Sequence, residues 1–550
     1  MKYCKNFLRF VSILLAVVIV ALPMTAHAAE GTVYYIDAVD GSDSSDGKSP
    51  ANAWQTVKPI KSISLSAGDC ILFKRGGDYE CELSLTCLGT KEQPIVLSSY
   101  GNESEPLAHL YTNNHADVLR LIDCSYVTVD SLEITAHNGG GIWIDTLTRA
   151  SVGITLSNLD MHDMQNFKVN SRDDFSTPAA ARACVLVKEL PSHSRFPVND
   201  LTVRNCEMYD CGNGLIIWGS WNEQEDPWCE KEEDIDPVFN TGTLVKNVYF
   251  HDMDAEAVIV GMCDGALVTD CRSINCCQGE GTDENGKVLY YTAAMWFWGS
   301  INSTIQYCEI AGQKNVGDGM AVDFDSYSHN CTYQYIYSHD NTRFICNNPM
   351  YSGHKNNTVR YCLSVNDNRG KNCLSVRNEG EHGFKFYNNT IINASDIRLW
   401  NIYDSVFANN IVTFAPGHSF LCDSQILRDG NVFENNCYYG AVSPVTDLSA
   451  KNILPGFVNP NGTTAEAYML LADSPLINAG AIIDGAPTLD LYGNTVGTPN
   501  IGNTVGTPNI GCYGGDGIKG EAEYPRECLL ARIVRYFGYI IDKIIQDINY

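Results

Sequence analysis

Three aspartates fall within nine residues of the chain: Asp318, Asp323 and Asp325, in GDGMAVDFD at 317–325. On a strand, successive side chains point to opposite faces. Met320, Val322 and Phe324 are then expected inward, and Ala321, Asp323 and Asp325 outward. Two carboxylates at i and i+2 on one face stand ~6.6–7 Å apart, from the strand rise. Inverting glycosidases use a carboxyl pair ~6.5–9.5 Å apart; retaining ones use ~5–5.5 Å, closer to the spacing of neighbouring strands. Like charges this close push two pKa values apart, which makes one group an acid and the other a base. Asp318 is expected to shape one of them. A solvated strand face in an acidic protein would give the same letters. The pattern, however, occurs once: GLIIWGS (214–220), AVIVGM (257–262) and AAMWFWGS (293–300) carry apolar or neutral residues in comparable segments.

Aromatic and basic residues flank this segment. Trp296 and Trp298 form an i, i+2 pair before it, Trp218 and Trp221 lie earlier, and Trp400 lies later. Outward indoles offer flat faces to sugar rings, and inward packing is the alternative. Arg343 and Arg377 could hold uronate carboxylates by paired hydrogen bonds, with turn bracing as the alternative. His354 is a secondary candidate for substrate binding. The pairs His162-Asp163, His251-Asp252 and His339-Asp340, with Tyr209-Asp210, invite a catalytic reading. Their recurrence in one register favours a turn role, since Asp bonds nearby backbone N–H groups.

The elements that must position these groups are strands. One phrase returns along the chain: LTVRNC at 201–206, ALVTDC at 266–271, STIQYC at 303–308 and NTVRYC at 357–362, with weaker copies CTYQYI, FKFYNN and VFANNI. Anchored on Val248, Val268, Ile305, Tyr333, Val359, Phe386 and Phe407, the steps are 20, 37, 28, 26, 27 and 21 residues. That spacing suits one coil of a three-stranded solenoid, with loops of variable length at the turns. Coils stack ~4.8 Å apart, and none can bury its inward face alone. Val, Ile, Tyr, Thr and Asn in period-two alternation exclude a helical reading. Cys206, Cys271, Cys308 and Cys362 occupy one position of the repeat, which predicts an inward ladder of small apolar side chains. Disulfide pairing is the alternative for a secreted chain.

The 550 residues hold 37 Lys+Arg and 65 Asp+Glu, a net charge of −28. Nucleic acid and anionic membranes are disfavoured as partners. Lys2, Lys5 and Arg9, the apolar run from Phe10 to Met24 and the Ala26-His27-Ala28 site read as a signal peptide over 1–28. No later stretch is long and apolar enough to span a bilayer. A cap over 29–66 follows. Ser49-Pro50 there predicts a short helix, roughly 50–63, over the open first coil. Asp40, Asp43 and Asp46 could hold Ca2+, or simply form an Asp/Ser/Gly turn. The β-helix with its C-terminal loop extension is expected over 67–515, and includes a tandem GNTVGTPNI at 493–510. The tail 516–550 has helical apolar period from Leu529 to Ile545, suited to packing on the last coil or to meeting a partner.

YYIDAVDGSDSSDGKSPANAWQTVKPI (34–60), GDCILFKRGG (68–77) and NCTYQYIYSHDN (330–341) resemble secreted proteins of the pectin-lyase-like superfamily. The resemblance implies an all-β fold, a right-handed parallel β-helix of three sheets and roughly ten coils. It also implies a polysaccharide lying in a groove along one sheet. Asp318-Gly319 stands where polygalacturonases carry Asn-Thr-Asp-Gly. Asp340 is single where they have paired aspartates, and Gly353-His354 is followed by Lys355 rather than glycine. The combined expectation is a monomeric extracellular glycoside hydrolase that needs no cofactor. A lyase using Ca2+ and a base is one alternative, and a non-catalytic carbohydrate-binding solenoid is another.

Overall fold

The computed structural model describes residues 31–114, 116–164, 183–188, 195–220, 237–279, 292–315, 317–347, 355–370, 372–422, 430–440, 447–496 and 506–519. The signal peptide, Trp221, His354 and the apolar tail lie outside these residues. So does the side chain of Arg377. No described helix is long and apolar enough to cross a membrane.

Three parallel sheets run the length of the molecule. Among the described residues the first has 14 strands, from Val33–Ile36 to Val432–Glu434. The second has 13, from Asp78–Glu80 to Cys437–Tyr439, and the third has 12, from Leu83–Leu85 to Phe420–Cys422. The chain visits the sheets in turn and pairs each strand with its counterpart one coil on, as in a parallel β-helix. Strands outnumber the ten coils expected because the early coils, such as Val127–Asp130, alternate inward apolar residues without the Asn/Asp-Cys phrase. One apolar core fills the solenoid from Ile36 to Tyr438.

The anchors of the repeat stack in the first sheet as Val203, Val245, Val268, Ile305, Tyr333, Val359, Phe386, Phe407 and Phe433. Val248, read as an anchor in the sequence, is instead three residues past its coil's anchor, Val245. Two residues after each anchor the chain turns on a single residue with positive φ. Asn205, Asn247, Asp270, Tyr307, Tyr335, Tyr361, Asn388, Asn409 and Asn435 all have φ between +50° and +58°. Asn and Asp tolerate this conformation better than other non-glycine residues. The following residue points inward. Cys206, Cys271, Cys308 and Cys362 are buried free thiols there, as the ladder reading expects. In the last coils the same position becomes Asn389, Asn410 and Asn436, all buried. Cys362 N donates to Asn389 Oδ1 at 3.0 Å, Asn389 N to Asn410 Oδ1 at 2.9 Å, and Asn410 N to Asn436 Oδ1 at 2.9 Å. Their amide nitrogens donate to the carbonyls of Val359, Phe386 and Phe407.

The His-Asp pairs turn the next corner. Asp163, Asp210, Asp252 and Asp340 have φ of 58°, 47°, 52° and 56°. His162, His251 and His339 bond through Nδ1 to the neighbouring Asp at 2.9, 2.8 and 3.0 Å. These are structural corners.

The expected capping helix is replaced by two short 3-10 turns, Pro50–Asn52 and Lys58–Ser62. Ser49 makes no side-chain cap bond, and Trp54 is drawn into a bridge with Ile36, where its ring stacks on Tyr34 at 5.2 Å. The cap's strand Val33–Ile36 thereby joins the first sheet. In the acidic loop, Asp43 accepts from Gln55 N, Thr56 N and Thr56 Oγ1, Asp40 pairs with Lys74, and Asp46 accepts from Lys48 N. Residues 447–496 and 506–519 fold back along the corner of the first two sheets. There the Tyr335 hydroxyl donates to Leu489 O at 2.9 Å, and Asn388 Nδ2 to Asn509 O at 2.9 Å. The outward face of the third sheet takes no part in these contacts.

Replacing a rung of the asparagine ladder should cost more than replacing a thiol rung. Asn410→Leu strips partners from Phe386 O and Asn389 N, at about 1–3 kcal/mol for each buried group left unpaired. Cys308→Ala removes one small apolar atom, roughly 1 kcal/mol. Urea unfolding of the two variants checks the order, and equal losses would contradict the ladder's role.

Candidate active site on the third sheet

The acidic segment forms the strand Met320–Phe324 of the third sheet, between Ala293–Trp298 and Arg343–Asn347. Its alternation differs from the sequence reading at one end. Ala321 joins Val322 and Phe324 in the solenoid core, while Met320 packs outside it with Ala293, Cys346 and Trp296. Gly319 sets this step. Its φ is +55°, and a Cβ there would lie 2.2 Å from Asn315 O. From inside, the Tyr333 hydroxyl donates to Asp323 O. Phe324 stacks on Phe297 at 6.1 Å. The strand is therefore held from below, and Asp323 is fixed facing out.

Outward residues form columns across the coils. Ile259, Trp296, Asp323, Cys346, Ser375 and Arg398 share one. Two residues further along the chain, Trp298 and Asp325 follow one another in adjacent coils, and Arg377 pairs with Trp400. The fold thus brings the sequence candidates Asp323, Asp325, Trp296, Arg343 and Asp318 to one face. Arg377 lies on the same sheet by its backbone, and Trp400 several coils away.

Asp323 is half-buried, and its Oδ1 has no hydrogen-bond partner among the described residues. Burial first, then the charges of Asp325 and Asp318, push its carboxyl well above the ordinary range, against the opposing pull of Arg343. Its carboxyl is thereby biased toward the protonated form. Asp325 accepts from Ser326 N at 2.7 Å and Ser326 Oγ at 3.2 Å. Arg343 Nη1 reaches Asp318 Oδ1 at 3.5 Å, and Nη2 reaches Gly317 O at 3.4 Å. Asn315 Oδ1 accepts from Gly317 N and Asp318 N and shapes the turn that presents Asp318.

The tryptophans divide. Trp296 is half-buried beside Asp323. Trp298, expected as a sugar platform, is 1% exposed and packs on Met262 and Tyr327. Trp218 meets both edge-on, at centroid distances of 6.4 and 5.3 Å. It can lie there because Gly261 has no side chain: a Cβ would stand 2.1 Å from the Trp218 ring. Trp400 is half-exposed, with the Arg398 guanidinium over its ring at 4.4 Å.

Glu256 is a residue that sequence reasoning missed. It precedes the strand Val258–Gly261, its N–H donates to Asn213 Oδ1 at 3.2 Å, and it is buried. Burial, with a smaller push from Asp318, raises its carboxyl to about 8. The signal was present one residue before the apolar run at 257–262 that the sequence reading set aside as neutral. Among the described residues no three His, Cys, Asp or Glu side chains converge as a metal site.

A concavity of 520 Å³ lies along the corner of the first two sheets, lined by Asn158, Asp160, Asn205, Glu207, Tyr249 and Arg272. Its neighbouring rings face one another: Tyr209 stacks between His162 and His251 at 4.7 and 4.8 Å. Those faces are already covered. The third sheet instead combines a carboxyl raised by burial, further carboxylates and a partly open indole.

No protein-family model and no curated protein matches the chain. Solved structures do. A lacto-N-biosidase of glycoside hydrolase family 136 from Eubacterium ramulus aligns with a TM-score of 0.54 at 20% identity, over 77% of this chain and 68% of that one. XylC in complex with xylose aligns with a TM-score of 0.53 at 10% identity, over 89% of this chain and 99% of that one. At these identities the likeness is one of fold, a parallel β-helix.

The raised carboxyls make stability fall with pH. For Glu256, the favourable contribution is complete below the unfolded value of 4.5 and is lost as pH rises through about 8. Asp323 acts with the same sign. Glu256→Gln should therefore melt higher, relative to wild type, at pH 8 than at pH 5. Thermal melts at the two pH values read this directly, and a pH-independent difference would place Glu256 in solvent.

Proposed function

We propose that this chain is an extracellular glycoside hydrolase, acting as a monomer, with Asp323 as general acid and Asp325 as general base. One observation carries the reading: two carboxyls two residues apart stand at the end of one strand, and burial with the neighbouring charges raises one of them. Asp323 donates its proton to the leaving glycosidic oxygen, and Asp325 takes a proton from the attacking water. Their i, i+2 spacing of ~6.6–7 Å leaves room for that water and favours inversion. Asp318, held by Arg343, adds negative charge that keeps the acid protonated. Trp296 supplies an apolar edge beside the bond to be cleaved. The basic, apolar and Ala-x-Ala elements of 1–28 support export. The fold neighbours, a lacto-N-biosidase and XylC in complex with xylose, support a glycan substrate.

Asp323→Asn should lower kcat by roughly 10²–10⁴-fold, the usual share of general acid catalysis, with little change in KM. New reducing ends from a panel of plant and microbial polysaccharides, counted with and without chelator, provide the measurement. Unsaturated products that vanish on chelation would establish a lyase instead. Undiminished cleavage by the variant would remove Asp323 from the chemistry.

A further inference from the structure

We propose that two pairs of buried thiols, Cys87 with Cys124 and Cys184 with Cys211, close into disulfides when the folding chain meets a disulfide oxidant. The setting rests on the export reading above, since oxidants of this kind act outside the reducing cytosol. The rung thiols are not built for it. Cys206, Cys271, Cys308 and Cys362 each donate to the carbonyl two residues earlier in their own coil, at 3.3, 3.2, 3.1 and 3.3 Å, so they point the same way.

The two pairs converge instead. Cys124 Sγ leans onto the preceding coil, where it donates to Leu85 O at 3.3 Å and accepts from Cys87 N at 3.4 Å. It stands 3.7 Å from Cys87 Sγ. Leu88 and Ser125, the next residue of each coil, pair in parallel. That register puts the two Cα atoms about 4.8 Å apart, within the roughly 4.4–6.8 Å that a disulfide spans. Cys184 Sγ and Cys211 Sγ are 3.3 Å apart. They meet across the corner of the second and third sheets, from the strand Ala183–Val187 and from the end of Glu207–Cys211 one coil later. Small side-chain rotations bring either pair to the S–S bond length of about 2 Å.

In each pair one thiolate attacks the oxidant's disulfide, forms a mixed disulfide and expels one oxidant thiolate. The partner thiolate then attacks the protein sulfur of the mixed disulfide and expels the second. Two protein thiols give up two protons and two electrons, and the oxidant takes them up as two thiols. All four cysteines are buried once the coils have stacked. The exchange therefore belongs to the folding chain, before they close. Each bridge joins one coil to the next, over 37 and 27 residues. Register is thus fixed covalently in the coils that precede the asparagine rungs.

The test refolds the full-length chain from urea into a mixture of reduced and oxidised glutathione. The product is denatured, alkylated and digested without reduction. Mass spectrometry should find Cys87 linked to Cys124 and Cys184 to Cys211, each pair two hydrogens lighter than its free peptides. Chain refolded with reductant alone should unfold at lower urea, and the gap should vanish in a Cys124→Ala, Cys211→Ala protein. Alkylation of all four thiols overturns the proposal, as does an unchanged urea midpoint. Bridges between Cys271 and Cys308 in their place, or through Cys276, which lies near Cys184 and Cys211, also overturn it. The same digest of chain secreted into an oxidising compartment needs no refolding step and is read the same way. Bridges formed in glutathione but missing from chain recovered from its own cells would keep the pairing and overturn export.

Discussion

Everything in this molecule depends on stacking each coil on the last in register. A parallel β-helix has no local hairpins to set its pairing. Register must come from residues that recur at fixed places in coils of unequal length. Two devices supply it. Single residues with positive φ turn the corners, and inward rungs follow them. Where the rung is apolar, as at Cys206 and Cys271, shape alone aligns the coils. Where it is asparagine, from Asn389 to Asn436, each side-chain amide binds an N–H and a C=O of the preceding coil's backbone, and successive rungs bond to one another. The asparagine rungs lie among the coils over which the C-terminal extension packs, where Asn388 and Asn409 also bond to that extension, and the extension reaches back over coils with apolar rungs at Tyr335.

The candidate site inherits this register. Asp323 meets Trp296 on one side and Cys346 on the other because Val322 and Phe324 are locked into their neighbours below. The hydroxyl of Tyr333, an anchor of the first sheet, reaches across the core to Asp323 O. A scaffold residue thus braces the backbone of the proposed acid. The same rigidity lets the site hold its carboxyls close together. Burial, with a smaller push from neighbouring carboxylates, is expressed there as raised carboxyls at Asp323 and Glu256.

Much of the fold was legible in the sequence. The repeat gave the anchors, and the shared register of Cys206, Cys271, Cys308 and Cys362 gave the rung. The recurrence of His-Asp placed those pairs at corners. What failed depended on neighbours distant in sequence. Val248 passed for an anchor because both positions are valine. The capping helix lost to a bridge between Trp54 and Ile36. In the candidate site, the outward direction of Asp323 and Asp325 followed from period two, but Met320 and Ala321 exchanged faces because Gly319 bends the strand there. Trp298 looked identical to Trp296 and proved to be packing, since Met262 and Tyr327 come from other turns. Glu256 stood one residue before an apolar run, but its burial and its proximity to Asp318 arise only when coils stack.

The central claim is that a glycan engages the third sheet across the acidic strand. Hydrogen–deuterium exchange of the Asp323→Asn protein, with and without a neutral oligosaccharide that it binds, tests this most directly. The account expects added protection within 256–261, 293–298 and 318–326, spread over adjacent coils of one sheet. Protection confined to 158–160, 205–207 and 247–249, the corner of the first two sheets, would contradict it and move the glycan to the concavity there.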